Sequence, residues 1–168
     1  MGDRELAALY ERCGFALYRR CLAYLGSESE AQDAVQEVFA RAVEAAPRYR
    51  PEADPAAWLR QIADHLCIDL LRRRRRNPVR GDASDEVRAG DALDRFTAPS
   101  GEHLVLAHRL IASLEPEAAR LAVLYFLDGM TQEELAVETG LSRRTIGKRL
   151  QAIVSAAHTL IATPEPGT

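Results

Sequence analysis

Apolar side chains recur every three or four residues over most of this chain, which is the spacing of helices with one buried face. Residues 4–25 form the first such stretch, and the letters LGSESE interrupt it. Ser27 with Glu30 predicts a capping box at the start of a second helix, which Pro47 is expected to end. The two predicted buried faces comprise Leu6, Leu9, Tyr10, Cys13, Leu17, Cys21 and Leu25, then Ala31, Ala34, Val35, Val38, Phe39, Ala42 and Val43.

A third helix is predicted from Pro55, with Asp54 as its capping residue. It ends in the run LRRRRRN at residues 71–77, where cations interact favourably with the helix dipole. Its predicted buried face comprises Trp58, Leu59, Ile62, Ala63, Leu66 and Leu70.

The periodicity is lost over residues 77–101, where Pro, Gly, Ser, Ala and Asp dominate. We interpret this stretch as a flexible linker, so the chain is predicted to be all-α, with two small helical domains at 1–76 and 102–168. In the second domain a helix is expected near 102–114, followed by one that Pro116 opens and Gly129 closes. Its predicted core residues are Leu121, Leu124, Tyr125 and Leu127.

The letters TQEELAVETGLSRRTIGKRLQAI, residues 131–153, predict a helix-turn-helix. Thr131 and Glu134 form a second predicted capping box, and Gly140 suits a turn that needs the left-handed backbone conformation. Ala136 is small enough to let the two helices approach closely. Leu141 and Ile146 are expected to fill the space between them.

The second helix of this motif is strongly basic and carries no acid between residues 142 and 150. Such a face fits the major groove of DNA and reaches both phosphates and base edges. The alternative is a solvated basic helix in a plain helical bundle. The candidate DNA contacts are Ser142, Arg143, Arg144, Thr145, Lys148 and Arg149.

The five arginines at 72–76 leave three interpretations open: a solvated helix end, a nuclear-localisation signal, or a phosphate-binding edge. The formal net charge of −3 does not exclude nucleic-acid binding, which depends on local basic patches.

The composition and the absence of motifs mainly exclude classes of protein. Three cysteines without a CxxC motif argue against a disulfide framework and fit a reducing cytoplasm. No stretch approaches 18 apolar residues and no signal-peptide pattern opens the chain, so no membrane insertion is expected. Neither a metal site, a cofactor nor a catalytic motif is predicted, and the chain is not expected to be an enzyme.

Two segments resemble a known family. Residues 29–76, with the letters DAVQEVF, WLRQIA and CIDLLRRRRR, resemble region 2 of bacterial sigma factors of the small extracytoplasmic-function (group IV) class. Residues 114–150 resemble region 4 of the same class. The resemblance implies a factor that directs RNA polymerase core to specific promoters and assists promoter melting in transcription initiation.

The resemblance also implies residue roles. The β′ clamp helices of RNA polymerase would bind Asp33, Gln36, Glu37, Phe39 and Arg41, although core packing is an equal alternative for Phe39. The downstream promoter element would be contacted by Tyr49, Arg60, His65, Asp69, Arg72, Arg73 and Arg76. The helix-turn-helix would read the upstream element, and the linker would run through the polymerase, whose β subunit is a further expected partner. An anti-sigma factor is a further partner that the resemblance allows.

The chain departs from the family pattern in two places. His65 stands where Asn is common, and the letters TIGKR stand where Thr-Val-Lys-Ser-Arg is common. Gly147 inside the recognition helix costs about 1 kcal/mol relative to alanine. Because no Lys or Arg follows Arg149, we expect this domain to bind the phosphates of the upstream element more weakly than other members of the class do. Two rival functions stay open: an autonomous helix-turn-helix transcriptional regulator, and a sigma-like adaptor that binds a partner protein and never touches DNA.

Overall fold

The computed structural model describes residues 2–50, 54–76 and 101–162. Within these ranges the chain is helical and contains no strand, so the predicted all-α fold class is confirmed there. All but the last residue of the predicted linker, 77–101, lies outside the described residues. The helices are α1 (Asp3–Leu25), α2 (Glu28–Ala45), α3 (Pro55–Arg76), α4 (Gly101–Ser113), α5 (Pro116–Ala122), α6 (Gln132–Thr139) and α7 (Arg143–Ala162).

The chain divides into two compact units, Met1–His108 and Arg109–Thr168. In the first unit α1, α2 and α3 pack against one another in all three pairs. Each contributes an apolar stripe at helical spacing, and burying one such aliphatic side chain stabilises the fold by about 1.5–3 kcal/mol. The fully covered apolar side chains include Leu17, Cys21, Leu25, Ala31, Val38, Ala42, Leu59, Ala63 and Cys67.

A polar network lies inside this apolar core. The Arg20 Nε and Nη2 atoms donate to the two carboxylate oxygens of Asp64 at 2.6 and 2.8 Å, and the Tyr24 hydroxyl donates to the same carboxylate at 3.1 Å. Arg20 and Asp64 are only 2% and 1% exposed. Because a buried charge is costly unless it is paired, this fork of hydrogen bonds is what permits both residues inside the core. Burial and the neighbouring Asp64 raise the pKa of Tyr24, so the hydroxyl stays a donor.

The helix starts of the first unit follow the sequence prediction in part. The Asp54 carboxylate accepts hydrogen bonds from the backbone N–H groups of Ala56 and Ala57, so the predicted cap of α3 is confirmed. Ser27 accepts from the backbone of Glu30 at 3.4 Å, but the Glu30 side chain pairs with Arg74, so the structure contains only half of that box. Residues Ala46–Arg48 add one 3₁₀ turn after α2, which includes Pro47.

Three residues that were assigned to buried faces are instead largely exposed. Tyr10 and Val43 are each 54% exposed and Leu127 is 44% exposed. Tyr10 is at the edge of its apolar stripe, and its ring contacts Phe39 edge-on with 4.9 Å between the ring centroids. Apolar spacing identifies a stripe but not how much of it the neighbouring helices cover, which is why these three assignments were wrong.

In the second unit α5, α6 and α7 surround one apolar core. A π-helical turn at Val123–Leu127 extends α5, and Gly129 follows with a positive φ of 69°. Ile146 and Leu135 are fully covered, while Leu141 and Ala136 pack against the cluster as the helix-turn-helix spacing predicted. The buried members are Leu121, Ala122, Leu124, Leu135, Ile146, Leu150 and Ile153.

Candidate nucleic-acid and protein interfaces

The exposed side of α3 gathers most of the residues predicted to contact the downstream element. His65, Asp69, Arg72 and Arg76 follow one another at steps of four, three and four residues, which keeps them on one face of a helix. Arg73 lies at the edge of that face, and all five are exposed. Arg72 is paired with Asp69 at 3.3 Å. We call this set, His65, Asp69, Arg72, Arg73 and Arg76, the α3 stripe.

Arg74 does not belong to the α3 stripe. Its Nη1 donates to the main-chain oxygen of Leu25 at 3.1 Å, and its Nη2 pairs with the carboxylate of Glu30. These bonds connect the end of α3 to the end of α1 and the start of α2. The arginine run is therefore divided, with its middle residue holding the three helices together while its neighbours face solvent.

Tyr49 and Arg60, the other predicted downstream contacts, lie near the start of α3. The Tyr49 ring contacts Trp58 with 5.0 Å between centroids. Arg60 pairs with Asp54 at 3.8 Å, and both side chains are substantially exposed. Arg60 is 12 residues before Arg72 on α3, about 18 Å along the axis. The structure therefore does not bring Tyr49 and Arg60 into the α3 stripe. Tyr49 begins the loop 49–54, of which 51–53 are outside the described residues, and Arg60 pairs with Asp54 at the end of that loop.

The predicted polymerase contacts lie on α2. Asp33, Gln36 and Glu37 are exposed on one face, and the Arg41 Nε donates to Glu37 at 2.7 Å. Phe39 is half-buried and packs against Tyr10 on the flank of this face. The structure thus brings four of the five together as one polar surface, and it gives Phe39 a packing role beside it.

The helix-turn-helix is fixed by its caps. Thr131 Oγ1 accepts from the backbone N–H of Glu134, whose carboxylate accepts in turn from the Thr131 backbone at 2.7 Å. The hydrogen bonds that this carboxylate accepts, from the Thr131 backbone N–H and then from the Thr131 hydroxyl, lower the pKa of Glu134. Gly140 takes φ 69° and ψ 11°, the left-handed conformation expected of the turn. Ser142 accepts from the Thr145 backbone at 3.2 Å, which confirms it as the cap of α7.

The candidate upstream contacts lie at the start of α7, but they are not equivalent. The hydroxyls of Ser142 and Thr145 are 2.9 Å apart and bond to each other. Arg143 Nη2 pairs with Glu133 of α6 at 2.9 Å. Arg144, Lys148 and Arg149 are exposed, and none of them forms an ion pair with any residue that the structure describes.

Sequence reasoning missed the ion-pair partners of three acidic residues in these two units. Asp64 falls inside the apolar face of α3, and its partner Arg20 is 44 positions away, so no local pattern connects them. Glu133 was not recognised as the partner of Arg143. Of the three, only Glu30 stands in a recognisable sequence pattern, the capping box. A carboxylate at a helix start can also pair with a distant cation.

Other kinds of site find no support in the described ranges. No group of three or more His, Cys, Asp or Glu side chains there could hold a metal ion. None of the helices described combines the length and the apolar character that crossing a membrane requires.

Comparisons with known proteins match both units. Residues 9–77 match the family described as sigma-70 region 2, and residues 104–155 match sigma-70, region 4. The extracytoplasmic-function sigma factor SigC of Mycobacterium tuberculosis (strain CDC 1551) is 32% identical over 149 residues, which cover 88% of this chain and 77% of that protein. SigL of Mycobacterium tuberculosis (strain H37Rv) is 30% identical over 162 residues, covering 90% and 85%.

The probable sigma factor RfaY of Xanthomonas campestris is 29% identical over 134 residues, and the match spans only 33% of its length. Two solved structures share the fold. CnrH in complex with the cytosolic domain of CnrY has a TM-score of 0.64 at 22% identity, with 96% of this chain and 90% of that chain covered. RpoE in complex with the anti-sigma factor NepR, from Bartonella quintana, has a TM-score of 0.64 at 18% identity, with 97% and 98% covered.

The two matched regions occur in the order that the resemblance of residues 29–76 and 114–150 implied, and the SigC and SigL relatives carry the match across most of the chain. This chain belongs to the extracytoplasmic-function sigma factors of the sigma-70 family.

Proposed function

We propose that this chain directs bacterial RNA polymerase core to specific promoters and assists promoter melting when transcription begins. The observation that carries the proposal is the pairing of the two regions: a region 2 unit with an exposed arginine-bearing helix face, and a region 4 unit with a basic recognition helix. The domain assignment that goes with it is 1–76 for region 2, 77–101 for the linker and 102–168 for region 4.

Upstream recognition is assigned to the start of α7. The exposed Arg144 and Lys148 are four residues apart and share one side of the helix, whereas Arg149 lies on another side with Thr145. A recognition helix with cations on both sides can contact phosphates on both walls of a major groove while its first turn reaches base edges. Arg143 is also assigned to this surface; in the structure it forms an ion pair with Glu133.

Downstream contact is assigned to the α3 stripe together with Tyr49 and Arg60. Three of the stripe's residues are arginines, and neutralising phosphates with them releases counterions, so this contact is expected to be sensitive to salt and poor in sequence information. His65 and Asp69 lie before the arginines on the same face, where they would meet the bases exposed as the duplex opens. The loop 49–54 is the proposed site that binds a base flipped out of the duplex.

Polymerase binding is assigned to the exposed face of α2, with Asp33, Gln36, Glu37 and Arg41 as contacts of the β′ clamp helices and Phe39 at its edge. This face is polar and carries the internal Glu37–Arg41 pair, which a partner can exchange for intermolecular hydrogen bonds. The β subunit is proposed as a further partner.

A sigma factor is a regulatory subunit, and we propose that this chain has no catalytic activity of its own and acts in the cytoplasm with the polymerase. We also propose that an anti-sigma factor restrains it. The solved complexes of CnrH with the cytosolic domain of CnrY and of RpoE with the anti-sigma factor NepR support that part of the proposal.

The test is run-off transcription with purified core polymerase on a genomic library. The expected result is a small set of transcripts that require the added chain and share two sequence elements upstream of their starts. DNA binding by the chain alone, without any transcript, would favour the autonomous regulator. Loss of both activities would favour the adaptor that binds a partner protein.

A further inference from the structure

The end of α1 is capped by side chains from two other helices, because the last carbonyls of a helix have no partner within it. Gly26 ends the helix in the left-handed conformation, with a φ of 71°. The Leu25 oxygen accepts a hydrogen bond from Arg74 of α3. The Ala23 oxygen accepts one from the imidazole of His108, which is on α4. The end of α1 is therefore held by donors that are distant in the sequence.

The His108 ring packs directly on Gly26. A Cβ atom built on Gly26 would overlap the imidazole, so only glycine leaves room for the ring at this position. His108 is the last residue of the first unit, although the match to sigma-70, region 4 already begins at residue 104. The beginning of the region 4 segment is thus held against α1 within the first unit.

The two ring nitrogens of His108 have different surroundings. Nδ1 is sealed from solvent and has no hydrogen-bond partner among the residues that the structure describes. The bond to Ala23 is therefore assigned to Nε2, which carries the proton of the neutral ring. A second proton would have to bind Nδ1, where it would add a charge and a buried donor without an acceptor. The packing thus fits the neutral imidazole and disfavours the imidazolium.

The charged groups around His108 do not reverse this preference. Burial is the main cause that lowers the pKa of His108 from its ordinary value of 6.5, and the charge of Arg74 lowers it further. The hydrogen bond to Ala23 and the carboxylate of Glu30 raise the pKa, but less. Arg74 and Glu30 also pair with each other. The last turn of α1, residues 22–25, reads LAYL and carries no charge.

We propose that His108 is a pH-dependent latch, which holds the start of α4 on the end of α1 while the ring is neutral and releases it when the ring is protonated. Above pH 6.5 the ring is neutral in both forms, so docking does not depend on pH. As the pH falls below this value, the released form binds a proton that the docked form does not. Docking therefore weakens with acid until the pH passes the lowered pKa of the docked ring.

Opening the latch would free the start of α4 from α1, so acid would regulate how readily region 4 moves during initiation. That regulatory role rests on the proposed function, but the latch itself does not. It is a property of the isolated chain, and it can be measured without polymerase or DNA.

The experiment follows the histidine rings and the Gly26 amide of the isotopically labelled full chain by NMR, from about pH 8 to about pH 5. Gly26 reports docking because the His108 ring lies against it. His108→Gln is the test variant, since an amide can donate to the Ala23 oxygen but does not titrate. His108→Ala gives the Gly26 signal without the ring. The matched control is His158→Gln, which removes an exposed imidazole from α7.

His108 is expected to titrate below pH 6.5. The wild-type Gly26 signal should follow this titration and move with acid towards its position in His108→Ala. The docking constant should fall by at most about tenfold per pH unit, the slope for one proton. In His108→Gln the Gly26 signal should not follow pH, whereas in His158→Gln it should follow the wild-type curve. Circular dichroism at both ends of the pH range checks that each variant keeps its helices.

Four results would each overturn the latch. They are a His108 midpoint at or above pH 6.5, the same Gly26 signal in the wild type and in His108→Ala at neutral pH, an unchanged Gly26 curve in His108→Gln, and a lost curve in His158→Gln. None of them bears on promoter selection. A latch that fails leaves the proposed function standing, and a chain that does not join core polymerase leaves the latch standing.

Discussion

The guanidinium of Arg74 donates a hydrogen bond to the main-chain oxygen of Leu25 at 3.1 Å, across 49 residues of sequence. It also pairs with Glu30, so one arginine satisfies a carbonyl near the end of α1 and holds the first turn of α2. A run that looks uniform in sequence thus contains one structural residue and four residues that are more exposed.

Arg74→Ala is expected to lower the free energy of unfolding of the first unit by about 1 kcal/mol. The two charge-assisted bonds would give more if they were buried, but the Arg74 side chain is 35% exposed, and water screens them. Urea denaturation followed by circular dichroism measures the change. Arg73→Ala is the matched control and should leave the midpoint unchanged; equal losses in both variants would show that Arg74 has no special role.

Replacing Arg72, Arg73 and Arg76 together with alanine should slow promoter opening without unfolding the protein. These residues are exposed, and their proposed partner is phosphate, so the rate of opening should also lose part of its salt dependence. Permanganate footprinting of the opened strand at several salt concentrations gives both readouts. If opening by the triple variant is unchanged, these arginines are a solvated helix end and the assignment of the α3 stripe is wrong.

Arg144→Ala with Lys148→Ala should weaken upstream-element binding while leaving polymerase binding intact. Loss of two phosphate contacts should reduce the slope of log K against log[salt] by about 1.8. The control is Arg4→Ala with Arg12→Ala, which removes the same charge from exposed positions of α1. Footprints of the holoenzyme over the upstream element measure the effect. A control pair as damaging as the recognition-helix pair would mean that only the total charge matters.

Acid should loosen the start of α6. The hydrogen bonds from Thr131 hold the folded-state pKa of Glu134 below its ordinary value of 4.5. The stabilisation by this carboxylate is therefore fully present above the ordinary value, and it is lost as the pH falls through the lowered pKa. Amide chemical shifts of Thr131 and Glu134 over an acid titration should report the loss. In Glu134→Gln the Thr131 shift should no longer follow this titration, and an unchanged curve would exclude the capping box as its source.

The helix-turn-helix was predictable because all its determinants are local. The capping box of Thr131, the left-handed Gly140 and the Ser142 cap lie within 15 residues of one another, and each turned out as the spacing indicated. The Asp54 cap of α3 followed from the same kind of local chemistry. Helical periodicity was also enough to predict the apolar stripes that α1, α2 and α3 bury against one another.

The other features of the fold and of the candidate interfaces depend on tertiary contacts, which the spacing of residues in the sequence does not reveal. Asp64 interrupts the apolar face of α3, and its partner Arg20 lies 44 residues earlier in the chain. Glu30 belongs to a capping-box pattern, but its side chain pairs with Arg74 instead of with the backbone of Ser27. Arg143 likewise pairs with Glu133, so three of the four basic residues of the recognition helix are without an ion pair among the residues that the structure describes.

The most direct measurement is reconstitution with core RNA polymerase. The purified chain is mixed with core enzyme, the complex is isolated by gel filtration, and its initiation is followed on a promoter recovered from the library. We predict a stable complex that transcribes from that promoter, while core enzyme alone does not. If the chain fails to join the core enzyme, its assignment as an initiation factor is contradicted, even if α7 binds DNA by itself.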